Sequence, residues 1–209
     1  RNRLTVADER EHALFHLVEV LYRIVPAFYD ELGSALEKLW NLPSAEVALP
    51  DVLGFGSWVG GDMEGTPDVH AKTIRETLAR QQQVIVNAYF GECQRLSQAL
   101  SQSASRVPIS VELARRIDEY RVLLPGARLD SQGRHDRMPY RSFFLQVAER
   151  LRHTYEARPN RYETAEQFLA DLQLVTDSLL AHRGLNAGYQ QVRRLVLRAR
   201  TFDCMVLDL

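Results

Sequence analysis

The sequence predicts a mainly α-helical chain that contains one glycine-rich loop and one or two short strands. Apolar residues recur at spacings of three and four through most of the 209 residues, as expected for helices that pack on a core. A hydrophobic content of 45% is enough to bury such a core in one or two domains. Five of the eleven glycines fall within residues 54–67, where glycine disfavours a helix by about 1 kcal/mol per site. We treat residues 1–209 as a single helical unit.

The first helical segment is predicted to begin near Thr5 and to end near Trp40. Thr5 and Asp8 both have side chains that cap helix N-termini. The apolar residues that follow at helical spacing are Ala13, Leu14, Leu17, Val18, Leu21, Ile24 and Val25. Pro26 lacks a backbone donor and clashes with the preceding turn, so we expect a kink or a break there. The segment is therefore two consecutive helices or one bent helix.

Residues 42–65 are predicted to form a glycine-rich loop, because prolines and glycines interrupt every helical pattern there. A short buried strand is predicted near Val52, over residues 52–55. Glycine permits positive φ and the close approach of another group, and Trp58 gives the loop one large apolar face. The loop is therefore predicted to pack against a ligand or a neighbouring segment.

A long helix is predicted to follow this loop. Thr66 and Pro67 form a favourable helix entry, and Asp68 is the alternative cap. Apolar positions over residues 69–100 predict a helix of about nine turns, which is longer than a typical globular helix. The serine- and glutamine-rich residues 97–105 are predicted to form the loop that ends it.

Shorter helices are predicted over residues 110–122, 140–157, 164–183 and 188–200. Ser110 is the expected cap of the first, and Thr164 with Gln167 has the spacing of a capping box. Residues 128–138 are polar with glycine and are predicted to be a mobile linker. The apolar run at the end of the sequence predicts a second short strand near Val206.

The charge pattern contains no signal for nucleic acid or for a membrane surface. The formal net charge is −1, and acidic and basic residues are interspersed, so there is no basic stripe. No apolar run approaches the roughly 20 residues that span a bilayer. The only cysteines, Cys93 and Cys204, form neither a disulfide framework nor a zinc-ligand pair, so we expect a cytoplasmic protein. The missing initiator methionine suggests a piece of a longer protein.

Several polar residues have both a functional and a structural interpretation. Asp62 and Glu64 could hold a cation or act in acid–base chemistry, but we favour Asp62 as an acceptor of backbone hydrogen bonds in the turn. His12 and His16 have the spacing of a two-histidine metal site but lack its usual glutamate, and we favour ordinary surface residues. No metal ligand is assigned within the chain.

Two further features leave two interpretations each. Trp58 is either a core residue or the lining of a pocket, and its position between glycines supports both about equally. Arg193, Arg194, Arg198 and Arg200 either bind an anion or form a solvated helix face, and we favour the solvated face.

Residues 55–67, FGSWVGGDMEGTP, resemble the tryptophan and double-glycine signature of phosphoenolpyruvate carboxylases, whose usual form is F-x-S-W-x-G-G-D-R-D-G-N-P. Other segments resemble family motifs in the same order: residues 5–10 (TVADER), 69–78, 139–141 (PYR), 162–180 and 201–209. The resemblance therefore covers essentially the whole chain. The sequence departs from the family pattern at Met63, where arginine is usual, and at Asp203, where glycine is usual.

The resemblance implies a fold of helices around a β-barrel and a cytoplasmic lyase that adds bicarbonate to phosphoenolpyruvate. The products are oxaloacetate and phosphate, Mg²⁺ or Mn²⁺ holds the substrate, and the family enzyme is a homo-oligomer, a tetramer. For this chain, the resemblance implies that Trp58 contributes to a hydrophobic pocket at the active centre. Ser57, Gly60, Gly61 and Asp62 are then expected to shape and anchor the loop.

The resemblance also implies that the catalytic residues lie outside this chain. The family's catalytic histidine precedes it, an arginine of the final strand would follow Leu209, and the metal carboxylates lie further on. We therefore expect an inactive fragment from the N-terminal half of a bacterial-type enzyme. The alternative is a noncatalytic helical scaffold derived from the same family, in which Met63 reflects lost function.

Overall fold

The computed structural model describes residues 4–41, 49–61, 69–103, 105, 108–127, 138–182 and 184–203. These residues form seven α-helices: α1 (Val6–Phe15), α2 (Tyr22–Trp40), α3 (Ala71–Ala99), α4 (Val111–Leu123), α5 (Pro139–Tyr155), α6 (Ala165–Ala181) and α7 (Tyr189–Thr201). A π-helical segment, His16–Leu21, joins α1 to α2, and a 3-10 turn, Gly184–Asn186, precedes α7. Within the described ranges there is no strand, so the prediction of a mainly helical chain is confirmed. The predicted linker at 128–138 falls almost entirely outside them.

Two of the predicted helix starts are confirmed by their side-chain caps. Thr5 Oγ1 accepts a hydrogen bond from Asp8 N at 3.2 Å, and Asp8 Oδ2 accepts one from Thr5 N at 2.9 Å. This reciprocal pair satisfies backbone donors that the first helical turn leaves without partners. At the start of α4, Ser110 Oγ accepts a hydrogen bond from Leu113 N at 3.3 Å.

The long helix α3 begins later than predicted. Its N-cap is His70, whose Nδ1 lies 3.4 Å from Thr73 N, whereas the predicted entry at residues 66–68 lies outside the described residues. At its other end, α3 continues to Ala99, into the segment predicted to be a loop. Ser97 is buried there, so packing extends the helix. Its 29 residues make about eight turns, and the prediction of a long helix is confirmed.

The capping box predicted for α6 is wrong. Thr164 is the N-cap of this helix, but its side chain makes no capping hydrogen bond. Gln167 Oε1 instead accepts hydrogen bonds from Glu163 N at 3.1 Å and from Arg150 Nη2 at 3.0 Å. The glutamine is therefore used to attach α5 to the segment before α6, a tertiary contact that the local spacing does not reveal.

Pro26 lies inside α2 without ending it, so of the two predicted alternatives the break is wrong, and the kink stays a prediction. In an ordinary helix the carbonyl of Tyr22 would accept a hydrogen bond from the N–H of residue 26, which proline lacks. Arg198 Nε on α7 donates a hydrogen bond to Tyr22 O at 2.9 Å and replaces that donor. The π-helical segment lies directly before this position, where the regular ladder of hydrogen bonds is already altered.

The strand predicted near Val52 is also wrong, because this segment is irregular. Val52 N donates a hydrogen bond to Tyr29 Oη at 3.0 Å, and Phe55 N donates one to Thr201 O at 3.0 Å. These donors bind two helices rather than a neighbouring strand. The second predicted strand, near Val206, lies outside the described residues.

The core is centred on α3 and α5, the two helices with the most extensive mutual contact. Their fully buried side chains include Ile85 and Cys93 on α3 and Phe143, Phe144 and Val147 on α5. The helices α6 and α7 pack against each other, and α7 also contacts α2 and α3. Among the described helices, none is long and apolar enough to cross a membrane.

Candidate functional site

The glycine loop is attached at its base to the C-terminal end of α7. Besides the hydrogen bond from Phe55 N to Thr201 O, the Phe55 ring packs on the Phe202 ring with centroids 5.4 Å apart. Asp51 and Arg200 form an ion pair at 3.7 Å on the same side. One backbone bond, one ring pair and one ion pair therefore fix where the loop leaves the helical core.

The described tip of the loop is a tight turn. Val59 N donates a hydrogen bond to Ser57 Oγ at 3.2 Å, and Gly61 N donates one to Trp58 O at 2.8 Å. Gly60 has a φ of 80°, and a Cβ at this position would collide with Thr77 Oγ1 on α3. Glycine is therefore needed at residue 60 both for its backbone conformation and for the close approach to α3.

Trp58 projects from this turn and is 81% exposed. The interpretation of Trp58 as a core residue therefore fails for the part of the chain that the structure describes. Its role as the wall of a pocket stays a prediction, as do the loop-shaping roles of its neighbours. Asp62, Met63 and Glu64 lie outside the described residues.

The arginines near the end of α7 all have acidic partners. Arg193 and Arg194 lie 3.5 and 3.1 Å from the carboxylate of Asp30 on α2. Arg198 is only 16% exposed, donates to Glu92 Oε1 at 2.8 Å and stacks over the Tyr22 ring. The favoured interpretation as a solvated face is therefore wrong for Arg198, which connects three helices.

His12 and His16 are both exposed at the junction of α1 and the π-helical segment. Among the described residues, no group of three or more histidine, cysteine, aspartate or glutamate side chains is arranged to hold a metal ion. Cys93 is fully buried in α3, and burial raises the pKa of its thiol. A thiol of this kind is an inert core residue rather than a nucleophile.

A buried polar network around Asp171 joins α4, α5 and α6. Asp171 accepts hydrogen bonds from Tyr120 Oη at 2.5 Å, from Tyr162 Oη at 2.6 Å and from Arg116 Nη1 at 2.5 Å. The guanidinium of Arg150 stacks 4.1 Å from the centroid of the Tyr162 ring and donates to Tyr120 Oη. The Asp171 carboxylate thus has partners on every side, as a buried charge requires.

The protonation states in this network follow from burial. Burial raises the pKa of Asp171, while the hydrogen bonds from the two tyrosines and the charges of Arg116 and Arg150 oppose that shift. Burial and the nearby carboxylate raise the pKa of Tyr120 to about 12. The tyrosines are therefore protonated donors at neutral pH. We interpret the network as a scaffold, because its polar groups bind one another.

A second buried contact connects two of the segments that resemble family motifs. Tyr140 belongs to the PYR segment, and its Oη lies 2.9 Å from Ser178 Oγ on α6. Ser178 Oγ also accepts a hydrogen bond from Ser110 N at the start of α4 at 3.0 Å. Both segments therefore contribute to helix packing.

The sequence interpretation missed Arg116, Arg150 and the structural role of Arg198. One signal was available for Arg198, because Pro26 removes the hydrogen bond to the Tyr22 carbonyl and so predicts a side-chain donor from elsewhere. No local signal distinguishes Arg116 or Arg150 from the many exposed arginines of the chain.

Comparison with known proteins finds the same family that these segments resemble. A family model described as phosphoenolpyruvate carboxylase matches residues 1–209. The chain belongs to this family. It is 44% identical over 200 residues to the phosphoenolpyruvate carboxylase of Xanthomonas euvesicatoria pv. vesicatoria (strain 85-10), and the match covers 96% of this chain and 22% of the relative. Identity to the phosphoenolpyruvate carboxylase of Ralstonia nicotianae is 35% over 198 residues, 87% of this chain and 19% of the relative.

The chain spans about a fifth of the length of the phosphoenolpyruvate carboxylases that it matches. The enzyme from Burkholderia mallei (strain SAVP1), 31% identical over 219 residues, shows the same proportion, with 96% of this chain and 21% of the relative covered. Members of the family use a divalent metal, but the described residues supply no fitting cluster of ligands. We therefore assign no metal ligand to them.

Proposed function

We propose that this chain is part of a longer phosphoenolpyruvate carboxylase, called the parent enzyme below, and that its glycine loop forms one wall of the carboxylation pocket. The parent enzyme adds bicarbonate to phosphoenolpyruvate and gives oxaloacetate and phosphate. The observation that supports this role for the loop is the exposed indole of Trp58 on a turn whose base is fixed to α7.

An indole in this position leaves a large apolar surface in water. Burying a large apolar side chain stabilises a fold by about 1.5–3 kcal/mol. The described part of the chain does not obtain this stabilisation from Trp58. The contacts at Phe55 and Gly60 hold the turn, so the ring has little freedom to fold back onto the core. We infer that the ring is covered when the pocket of the parent enzyme closes around its substrates.

The reaction explains why an apolar wall is useful. The enolate of pyruvate must meet carbon dioxide before it takes a proton from water, and a closed, dry pocket favours that order. Trp58 supplies apolar surface and no acid or base, so its role is to exclude water. Proton transfer and metal binding belong to residues outside this chain, and we expect Mg²⁺ or Mn²⁺, phosphoenolpyruvate and bicarbonate to bind there. We also expect a cytoplasmic homo-oligomer, a tetramer.

The first experiment tests whether the catalytic residues lie outside this chain, in the rest of the parent enzyme. The purified chain should form no oxaloacetate from phosphoenolpyruvate and bicarbonate with Mg²⁺ or Mn²⁺, because the catalytic histidine and arginines of the family lie outside it. A coupled assay that follows oxaloacetate reduction by NADH measures this. Turnover by the chain alone would show that the catalytic residues have been assigned to the wrong segments.

The second experiment tests Trp58 in the parent enzyme. Trp58→Ala should lower the rate of carboxylation by about tenfold to a hundredfold, the effect of losing about 1.5–3 kcal/mol of apolar contact in the reacting complex. The melting temperature should change little, because the ring is exposed in this part of the fold. Trp40→Ala is the matched control, since Trp40 is 63% exposed at the end of α2 and lies outside the loop. Equal turnover of the two variants and the wild type would remove Trp58 from the pocket.

The second candidate function is a noncatalytic scaffold, which the methionine at residue 63 favours. Sequencing the neighbouring coding region separates the two candidates. A histidine in a T-x-H-P-T-E context upstream and an arginine directly after Leu209 support the enzyme, whereas their replacement supports the scaffold.

A further inference from the structure

A groove with a volume of about 760 Å³ lies between the start of α2, α3 and α7, and none of its lining residues belongs to the glycine loop. We call it the arginine groove, and its charged lining residues are Arg23, Arg80, Arg95, Arg198, Glu19 and Glu92. Arg80 is also bound to Glu11, which lies outside the lining, so the four arginines keep an excess of about one positive charge over their carboxylate partners. The volume falls within the range of sites for small molecules.

The central arginine of the groove is held in one orientation. Arg198 Nε is bound to the Tyr22 carbonyl at 2.9 Å, and Arg198 Nη1 is bound to Glu92 at 2.8 Å. Its guanidinium carbon lies 4.6 Å from the centroid of the Tyr22 ring. A planar guanidinium that is fixed in this way loses little conformational freedom when an oxyanion binds it.

Tyr22 lines the groove with a side chain whose hydroxyl is shielded from solvent. The Tyr22 side chain is buried, and its Oη has no hydrogen-bond partner among the described residues. Burial raises the pKa of this phenol, so the group is a neutral donor. A buried hydroxyl without a partner costs about 1–3 kcal/mol, and an oxyanion would offset that cost only if the lining moved to expose the hydroxyl.

Gly91 keeps the floor of the groove open. It lies in the middle of α3 and lines the groove, yet a Cβ added there would meet no atom within 4 Å. Glycine inside a helix costs about 0.5–1 kcal/mol relative to alanine, and packing among the described residues does not require it. On the same face of α3, Gln83 and Asn87 contribute side-chain amides to the lining.

We propose that the arginine groove binds a small oxyanion, such as a phosphate or a dicarboxylate. Such a ligand is attracted by the excess positive charge and accepts a hydrogen bond from the fixed Arg198 guanidinium. None of these residues belongs to the glycine loop, so the proposal is independent of the pocket proposed around Trp58.

The test is isothermal titration of the purified chain with inorganic phosphate and, separately, with succinate, at constant pH and ionic strength. We expect saturable binding of one ligand per chain, and the stronger probe identifies the kind of oxyanion. Arg95→Gln should weaken binding about tenfold, the effect of losing one charge-assisted hydrogen bond. The Arg95 side chain is 70% exposed, so this variant should keep the fold.

The matched control is Arg115→Gln on α4. The Arg115 side chain is 74% exposed and pairs with a glutamate on its own helix, as Arg95 does, but it lies outside the groove. This control should bind like the wild type. Gly91→Leu tests the groove without changing charge and should abolish binding by filling the floor, while circular dichroism verifies the helix content.

Three results would overturn the proposal. The first is the absence of saturable binding for both probes. The second is equal affinity in the wild type, Arg95→Gln and Gly91→Leu, which would indicate an adventitious ion only. The third is self-association in sedimentation that Arg95→Gln removes, which would show that the groove is an interface between two copies of the chain.

Discussion

At Gly60 the loop combines a positive φ with direct contact on Thr77 of α3. We expect Gly60→Ala to lower the free energy of unfolding by about 2 kcal/mol, because alanine is strained in this conformation and its Cβ collides with Thr77 Oγ1. Urea unfolding of the purified chain measures this. Gly54→Ala is the control, since a Cβ at Gly54 meets no atom within 4 Å and its φ is not positive. Equal losses for both variants would show that the turn is not constrained by α3.

Asp171 is a buried carboxylate at the junction of α4, α5 and α6. We expect Asp171→Asn to lower the free energy of unfolding by about 3 kcal/mol, because the amide keeps the shape but leaves Arg150 without its counter-charge and Arg116 with Glu119 alone. Asp118→Asn is the control at an exposed ion pair with Arg121 and should cost less than about 1 kcal/mol. Chemical denaturation of the two variants compares them. A small loss for Asp171→Asn would mean that the tyrosine hydroxyls alone satisfy this site.

The glycine loop and the network around Asp171 differ in how far the sequence predicts them. The density of glycines identifies the loop and Trp58, because glycine is selected for backbone shape and that signal is local. The exposure of Trp58 is not predictable in the same way, since residue spacing does not say on which side of a loop a ring lies. The network at Asp171 depends on three separate helices, and no single segment contains its pattern.

At the scale of the helices, α7 supplies α2 with the hydrogen-bond donor that Pro26 lacks. We expect a double-mutant cycle with Pro26→Ala and Arg198→Gln to give a coupling of about 1 kcal/mol. Alanine restores the N–H that the Tyr22 carbonyl lacks, so the loss of Arg198 should cost less in the Pro26→Ala background. The contact with Glu92 is lost in both backgrounds and cancels. Additive effects would show that Arg198 does not substitute for the missing backbone donor.

The helices themselves are largely predictable, whereas their ends and interruptions are less so. Apolar spacing locates α1 to α7 because each helix buries a face with a regular period. The errors occur where a distant group decides the outcome. Arg198 allows α2 to continue through Pro26, the end of α7 holds Phe55 away from a strand, and Arg150 shares the glutamine expected to cap α6.

At the scale of the whole molecule, α1 to α7 surround one core, and the described residues hold the loop and the arginine groove on different parts of its surface. The loop is attached at Thr201 and Phe202, while the groove includes Arg198 one turn earlier. The Phe202 ring lies 5.7 Å from Tyr22 and 5.4 Å from Phe55, so it contacts a residue of each site. The end of α7 thus supports both surfaces.

The partnership of α2 with α7 also affects how the chain is made. Asp30 binds Arg194, and Tyr22 binds Arg198, across separations of 164 and 176 residues. Ribosomes add about 5–20 residues per second, so α2 is synthesised roughly 8 to 35 seconds before its partner helix. During this interval Asp30 and the Tyr22 carbonyl lack their arginine partners on α7. The face of α2 that packs on α7 is therefore uncovered while the intervening residues are being synthesised.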